Sequence, residues 1–210
     1  MAKSEMVSMQ KIGYFEVEFS RQSEKWKHLG PKFSLEVKSR ILQQARIISD
    51  VFEMAFIALP ALSKNFKKSD LHRVHVLFER WTRLSAKKYV DLRGEGFKAT
   101  TQILSKPEYW ERIQRELKVG DAIVAINYGH DEDEDFETTI RHEMSHVIIS
   151  SFEDEFGVNY KLSRHFVPLK DFLVNFFEGN EKLLRFLIKK YGKKRGTTEF
   201  VCECIARMKV

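Results

Sequence analysis

Two cysteines and four prolines in 210 residues give this chain few covalent or conformational staples. Cys202 and Cys204 stand two apart. On a helix such neighbours point about 200° apart, which places them badly for a mutual bridge. A disulfide framework is excluded, and the count fits a reduced, intracellular setting. The two read best as small buried thiols. No apolar run reaches the roughly 18 residues of a membrane-spanning helix, so no membrane partner is expected. The opening Met1-Ala2-Lys3-Ser4-Glu5-Met6-Val7-Ser8 lacks the apolar core of a secretory signal, and a cytoplasmic location is the expectation. Internal repeats and long low-complexity tracts are also lacking.

What is present argues for a folded globular protein. The hydrophobic fraction is 43%, aromatics make 12%, and Phe alone contributes 17 residues, enough for one substantial core. One domain over 1–210 is the simplest organisation, with a strand and long helix in 1–66 leading into a catalytic part in 67–210. The net charge is +6, some of it in Lys189-Lys190 and Lys193-Lys194-Arg195 around Tyr191-Gly192. Cations near a helix C-terminus are favoured by its dipole, so this run reads as a solvated junction. A nucleic-acid partner is the alternative, weakly supported because no aromatic-interleaved basic motif accompanies the run.

Phe15, Val17 and Phe19 alternate with Glu16, Glu18 and Ser20, as in a half-buried strand. After a turn at Gly30-Pro31, Ser34 to Leu59 reads as one amphipathic helix, with Leu35, Val37, Ile41, Leu42, Ala45, Ile48, Val51, Phe52 and Phe56 inward and Pro60 as a stop. Ser69-Asp70 would cap a second helix reaching Tyr89, although Val74 to Phe78 could instead be a strand. Arg93-Gly94-Glu95-Gly96 marks a turn. Glu108 to Leu117 is expected to be a short helix, since Trp110, Ile113 and Leu117 share a face. Asp121 to Tyr128 reads as a buried strand. The acidic run Asp131 to Asp135 lacks the Gly and spacing of a Ca²⁺ loop, and its carboxylates suit a helix N-terminus. Two helices are expected over about 168–177 and 180–191, and a last one from Thr197, which would cap it.

One stretch carries chemistry. His142-Glu143-Met144-Ser145-His146 reads H-E-x-x-H within a run from Phe136 to Ile149 that holds no Gly or Pro. Ile140, Met144, Val147 and Ile148 recur at helical spacing and supply an apolar face to bury. Residues four apart on a helix differ by about 40° around its axis, so both imidazoles point the same way and can share one ion. Glu143 projects beside them, where it could reach a water on that ion. Two imidazoles and an adjacent carboxylate suit a catalytic Zn²⁺, which takes three protein ligands and one open position.

The third ligand must come from elsewhere. Thr198 to Met208 places Glu199 and Glu203 four apart among Phe200, Val201, Cys202, Cys204, Ile205 and Ala206. A carboxylate buried in such surroundings is costly without a partner, and a metal would supply one. Either Glu answers that description. At this point the chain resembles the zincin metallopeptidases of the gluzincin type. They carry H-E-x-x-H on one helix and a Glu ligand on a later one, often within E-x-x-x-E-x-x-A. The resemblance covers roughly 121–150 and 197–208, with cysteines where the family commonly has small Ala-like residues. Glu199 is the backup, as a metal ligand itself, as an acceptor for an imidazole N–H or as a helix-terminal charge, while the resemblance implies Glu203 as the ligand. It also implies an α+β, zincin-like fold, mostly helical, whose small mixed sheet has the strand before the H-E-x-x-H helix, Asp121 to Tyr128, at its edge, ready to take a substrate as an added strand.

The expected activity is zinc-dependent hydrolysis of a protein or peptide substrate. His142, His146 and Glu203 hold Zn²⁺, which lowers the pKa of a bound water from about 15.7 towards about 7. Glu143 is the general base and then the general acid. Tyr191, Tyr160 and His165 are candidates to stabilise the oxyanion. Two alternatives stand beside this. One is a SprT-like protease acting on nucleic-acid-bound proteins, with His165 as third ligand, although Phe166 follows where that pattern has Gly. The other is a non-catalytic binding module on a zincin scaffold.

Overall fold

The computed structural model describes residues 9–19, 31–64, 72–79, 99–110, 115–127, 136–153, 166–177 and 179–208. The Ser69-Asp70 cap, the Arg93–Gly96 turn, the acidic run Asp131–Asp135, Tyr160 and His165 lie outside the described residues. The architecture is mixed α+β. Its strands are β1 Gln10–Ile12, β2 Phe15–Phe19, β3 His72–Glu79, β4 Ala99–Ile103, β5 Glu108–Trp110, β6 Arg115–Leu117 and β7 Ala122–Asn127. Its helices are α1 Pro31–Ala58, the short α2 Pro60–Ser63, α3 Phe136–Glu153, α4 Phe166–Phe176, α5 Glu181–Tyr191 and α6 Lys193–Ala206. No described helix is long and apolar enough to cross a membrane.

Five strands form one mixed sheet in the order β1-β2-β3-β7-β4. β2, β3 and β7 run parallel, while β1 and β4 are antiparallel to their neighbours. The strand preceding the H-E-x-x-H helix, β7, is therefore interior, and among the described residues the expected edge position belongs to β4. The reason is visible in β7 itself. Ala122, Val124 and Ile126 join the main core, while Ile123 joins a smaller cluster with Leu77, Leu104 and Leu117 on the other face. A strand apolar on both faces is one covered on both.

The same two-sided burial explains β3. Its apolar residues fitted a helical period, yet Val74 and Val76 face the main core while His75 and Leu77 are buried on the reverse. β-branched residues at alternate positions suit the pleat. Glu108 to Leu117 is likewise a hairpin of β5 and β6, not a helix. Its Leu117 and Trp110 pack beneath the sheet. Glu18, expected on a solvent side, is only 6% exposed. It lies 3.5 Å from His75 Nδ1, whose Nε2 is 3.5 Å from Asp121, so a buried polar line crosses β2, β3 and the start of β7. Burial opposes ionisation of Asp121, but His75 and the Lys118 backbone N–H outweigh it and hold the carboxyl below its ordinary range.

Helix α1 buries Val37, Ile41, Ala45, Ile48, Val51, Phe52 and Phe56 as its spacing requires. Leu35 falls off this stripe and is exposed. Gly13, at φ +54°, turns β1 into β2, and a side chain there would run into Ser49 of α1. That is a position for Gly on both counts. Ser49 Oγ also accepts the Tyr14 N–H at 3.1 Å.

Helix α6 begins at Lys193, not Thr197, directly after Gly192 at φ +83° breaks the chain away from α5. Thr197 lies inside the helix and donates back to the Lys193 carbonyl at 2.6 Å. The α5–α6 crossing is close because of Gly196. A Cβ there would sit 2.5 Å from the Leu187 carbonyl oxygen and the Ile188 Cα. On an open helix Gly→Ala would stabilise by about 1 kcal/mol. Here backbone must move, so Gly196→Ala is expected to cost about 1–3 kcal/mol, read as a lowered Tm.

Candidate metal centre

Helix α3 packs across β3, β4 and β7 with Ile140, Met144, Val147 and Ile148 buried. That face fixes the helix rotation and leaves His142 and His146 on one side, each about one-fifth exposed. Helix α6 lies against α3 in the antiparallel sense. Arg141, on α3's first turns, donates to the Met208 carbonyl just past α6 at 3.1 Å. At the other end Thr198 donates to Glu153 at 2.7 Å. Arg40 of α1 steadies the start of α3 by pairing with Glu137 at 2.6 and 2.7 Å.

This register decides which carboxylate meets which nitrogen. His142 Nε2 and His146 Nε2 are 3.1 Å apart. Glu199 Oε2 is 3.5 Å from each. His142, His146 and Glu199 thus form a group close enough to hold one metal ion. Glu203 lies on the far side of the ring, with its Oε2 3.2 Å from His142 Nδ1. Both carboxylates meet the imidazoles, at different atoms. The carboxylate that reaches both imidazole Nε2 atoms is Glu199, and Glu203 stands where an acceptor orients His142 from behind.

The donor spacing fits a metal. Around an ion with ligands at about 2.0–2.1 Å in tetrahedral array, neighbouring donors are about 3.3 Å apart. The three separations here, 3.1, 3.5 and 3.5 Å, bracket that value. Two ring nitrogens this close repel through their lone pairs unless a proton or a cation lies between them. The carboxylates are held in turn along one line of α6. Arg195 Nε lies 3.4 Å from Glu199 Oε1, and Arg207 Nε donates to Glu203 Oε1 at 2.7 Å. Arg195, Glu199, Glu203 and Arg207 recur at four-residue intervals on this helix, a pairing legible in the sequence and missed there.

Glu143 turns towards the sheet. Thr101 of β4 donates its hydroxyl to Glu143 Oε2 at 2.7 Å, with the Glu143 carbonyl at 3.0 Å. No local sequence signal marked Thr101, which lies 42 residues away. Tyr191 ends α5 beneath Lys190 and Arg195, whose charged groups sit 4.7 and 5.1 Å from its ring centre. Arg195, over that ring, also lies 3.4 Å from Glu199 Oε1. Cys202 and Cys204 are buried and unbridged. Burial pushes the Cys202 thiol well up and that of Cys204 to about 11, which leaves both protonated and unreactive.

The charged side chains of the centre set one another's ionisation. Burial works against a charged His142, but Glu199, Glu203 and Glu143 outweigh it and raise the imidazole from 6.5 to about 10. Burial likewise opposes ionisation of Glu199, and the two imidazoles overcome it, holding that carboxyl well below its usual range. His142 lowers Glu203 against the effect of burial, with Arg207 assisting, to about 2. The raised imidazole contributes stability that is complete below about 6.5 and lost as pH rises through about 10. The depressed carboxyls contribute above 4.5 and lose it as pH falls. In metal-free protein the contribution of these three side chains to stability should therefore be greatest between 4.5 and 6.5. A metal must displace the His142 proton, so zinc affinity should rise by about tenfold per pH unit across the neutral range. Chelator competition at about pH 6.5 and about pH 8 measures it.

Comparison of the chain with family models, with curated proteins and with solved structures finds no match in any of the three.

Proposed function

We propose that this protein is a zinc metallopeptidase of the gluzincin type, with His142, His146 and Glu199 as metal ligands and Glu143 as the general base. One observation carries the reading: three donors of two chemical kinds converge at tetrahedral spacing beside a carboxylate held by a separate hydrogen bond. A mixed imidazole–carboxylate set suits Zn²⁺. Bound there, Zn²⁺ supplies Lewis acidity towards a carbonyl and water acidic enough to ionise near neutral pH. The rest is the work of side chains. Glu199 neutralises charge and Glu203 fixes the His142 ring and its tautomer through Nδ1. Glu143 takes a proton from water and returns it to the leaving amine. Among the described residues β4 has one unpaired edge, and the strand packs against α3. That edge is where an extended peptide would add, with main-chain pairing giving affinity. Glu199 fills the third ligand place, so the reading has no need of His165.

Metal analysis of protein purified without a His tag should find about one zinc per chain. The same preparation should cleave a mixed peptide pool, and a chelator should stop it. Protein that carries no zinc and takes up none would sink the proposal. Zinc retained without cleavage would leave a binding module.

A further inference from the structure

The proposed reaction needs a base whose carboxylate faces one way. Glu143 is half-buried between α3 and β4, and a glutamate side chain has several rotamers open to it. Thr101 removes that freedom. Its register partner across the sheet is Val124, which faces the main core beneath α3, so the Thr101 side chain points to the helix. A hydroxyl has one proton. Two Glu143 oxygens lie in reach, the carbonyl at 3.0 Å and carboxylate Oε2 at 2.7 Å. The carbonyl is already engaged within the helix, and the charged acceptor makes the stronger bond. The proton therefore goes to Oε2, which leaves Oε1 to receive a proton from water.

We infer that Thr101 is a positioning residue: its hydroxyl, carried on the edge strand β4, pins one carboxylate oxygen of Glu143 and aims the other at the metal centre. This rests on the hydrolase reading for its consequence, though not for its geometry. It also joins two parts of the site that the sequence kept separate. The strand on which a peptide would add is the strand that holds the base, so docking and proton transfer share one element.

Thr101→Val keeps the shape and β-propensity of the side chain and removes the donor. Thr101→Ser keeps the donor. Structures of the metal-free proteins should show Glu143 in one rotamer in the parent and in Thr101→Ser, and in more than one in Thr101→Val. With zinc loaded, Thr101→Val should lower kcat about tenfold, with KM and zinc per chain unchanged. Thr101→Ser should stay within about threefold of the parent. A single Glu143 rotamer in Thr101→Val would overturn the inference. So would a loss wholly in KM, or a Ser variant as impaired as the Val variant. If the parent binds zinc yet cleaves nothing, the hydrolase reading fails, and the rotamer comparison still decides the role of Thr101.

Discussion

Glu199→Ala is expected to strip the protein of zinc, while Glu203→Ala only weakens its hold. The two carboxylates share a helix face, a burial level and a flanking arginine each, so composition does not separate them. Position does. Glu199 Oε2 is equidistant from both Nε2 atoms, whereas Glu203 meets a single ring at Nδ1. Loss of Glu199 leaves two imidazoles, too few for a tight site. Loss of a group behind a ligand costs about 10–100-fold in metal affinity, or about 1.4–2.7 kcal/mol. Zinc per chain after dialysis should fall to near zero in the first variant and stay near the parent in the second at excess metal. The reverse ranking would restore Glu203 as the ligand and make Glu199 the supporting acceptor.

The different atoms that Glu199 and Glu203 reach show where legibility stopped. The H-E-x-x-H helix could be read because its logic is local: four residues set the ring geometry, and the apolar spacing of Ile140, Met144 and Val147 sets which way the rings face. That a later helix supplies the carboxylate was also readable, from two Glu residues among buried neighbours. Which of the two was not. Positions four apart share a face, and the choice depends on how far α6 slides along α3. That slide is set by contacts between distant residues, Arg141 with the Met208 carbonyl and Thr198 with Glu153.

Strands suffered for a related reason. Phe15, Val17 and Phe19 alternate with polar residues, which is why β2 reads as a strand, although Glu18 on its other face is buried as well. β3 is buried on both faces, and Val74, Leu77 and Phe78 fit a helical period as well as a strand, whereas the continuous apolar run of β7 reads as a buried strand and is one. Edge position was not legible at all. β4 precedes β7 in the chain yet lies outside it in the sheet, and nothing local in Ala99 to Ile103 announces that. Thr101 inherits its place from this topology, which is why only the folded chain brings it to Glu143.

Glu143→Gln should leave zinc in place and remove cleavage. The substitution preserves size, and Glu143 is not among the three converging donors, so metal content and Tm should match the parent. The amide oxygen can still accept the Thr101 hydroxyl, which keeps the side chain near its present position. What disappears is basicity: an amide cannot take a proton from water near neutral pH or hand one to a departing amine. General acid–base catalysis contributes about 10²–10⁴-fold, about 2.7–5.5 kcal/mol of barrier. The loss should appear in kcat, with KM little changed, since the group acts on the transition state more than on bound substrate. Steady-state kinetics on zinc-loaded parent and variant, with metal content measured on the same samples, make the comparison. A variant as active as its parent would mean that another group accepts the proton, and the role given to Glu143 would have to be abandoned.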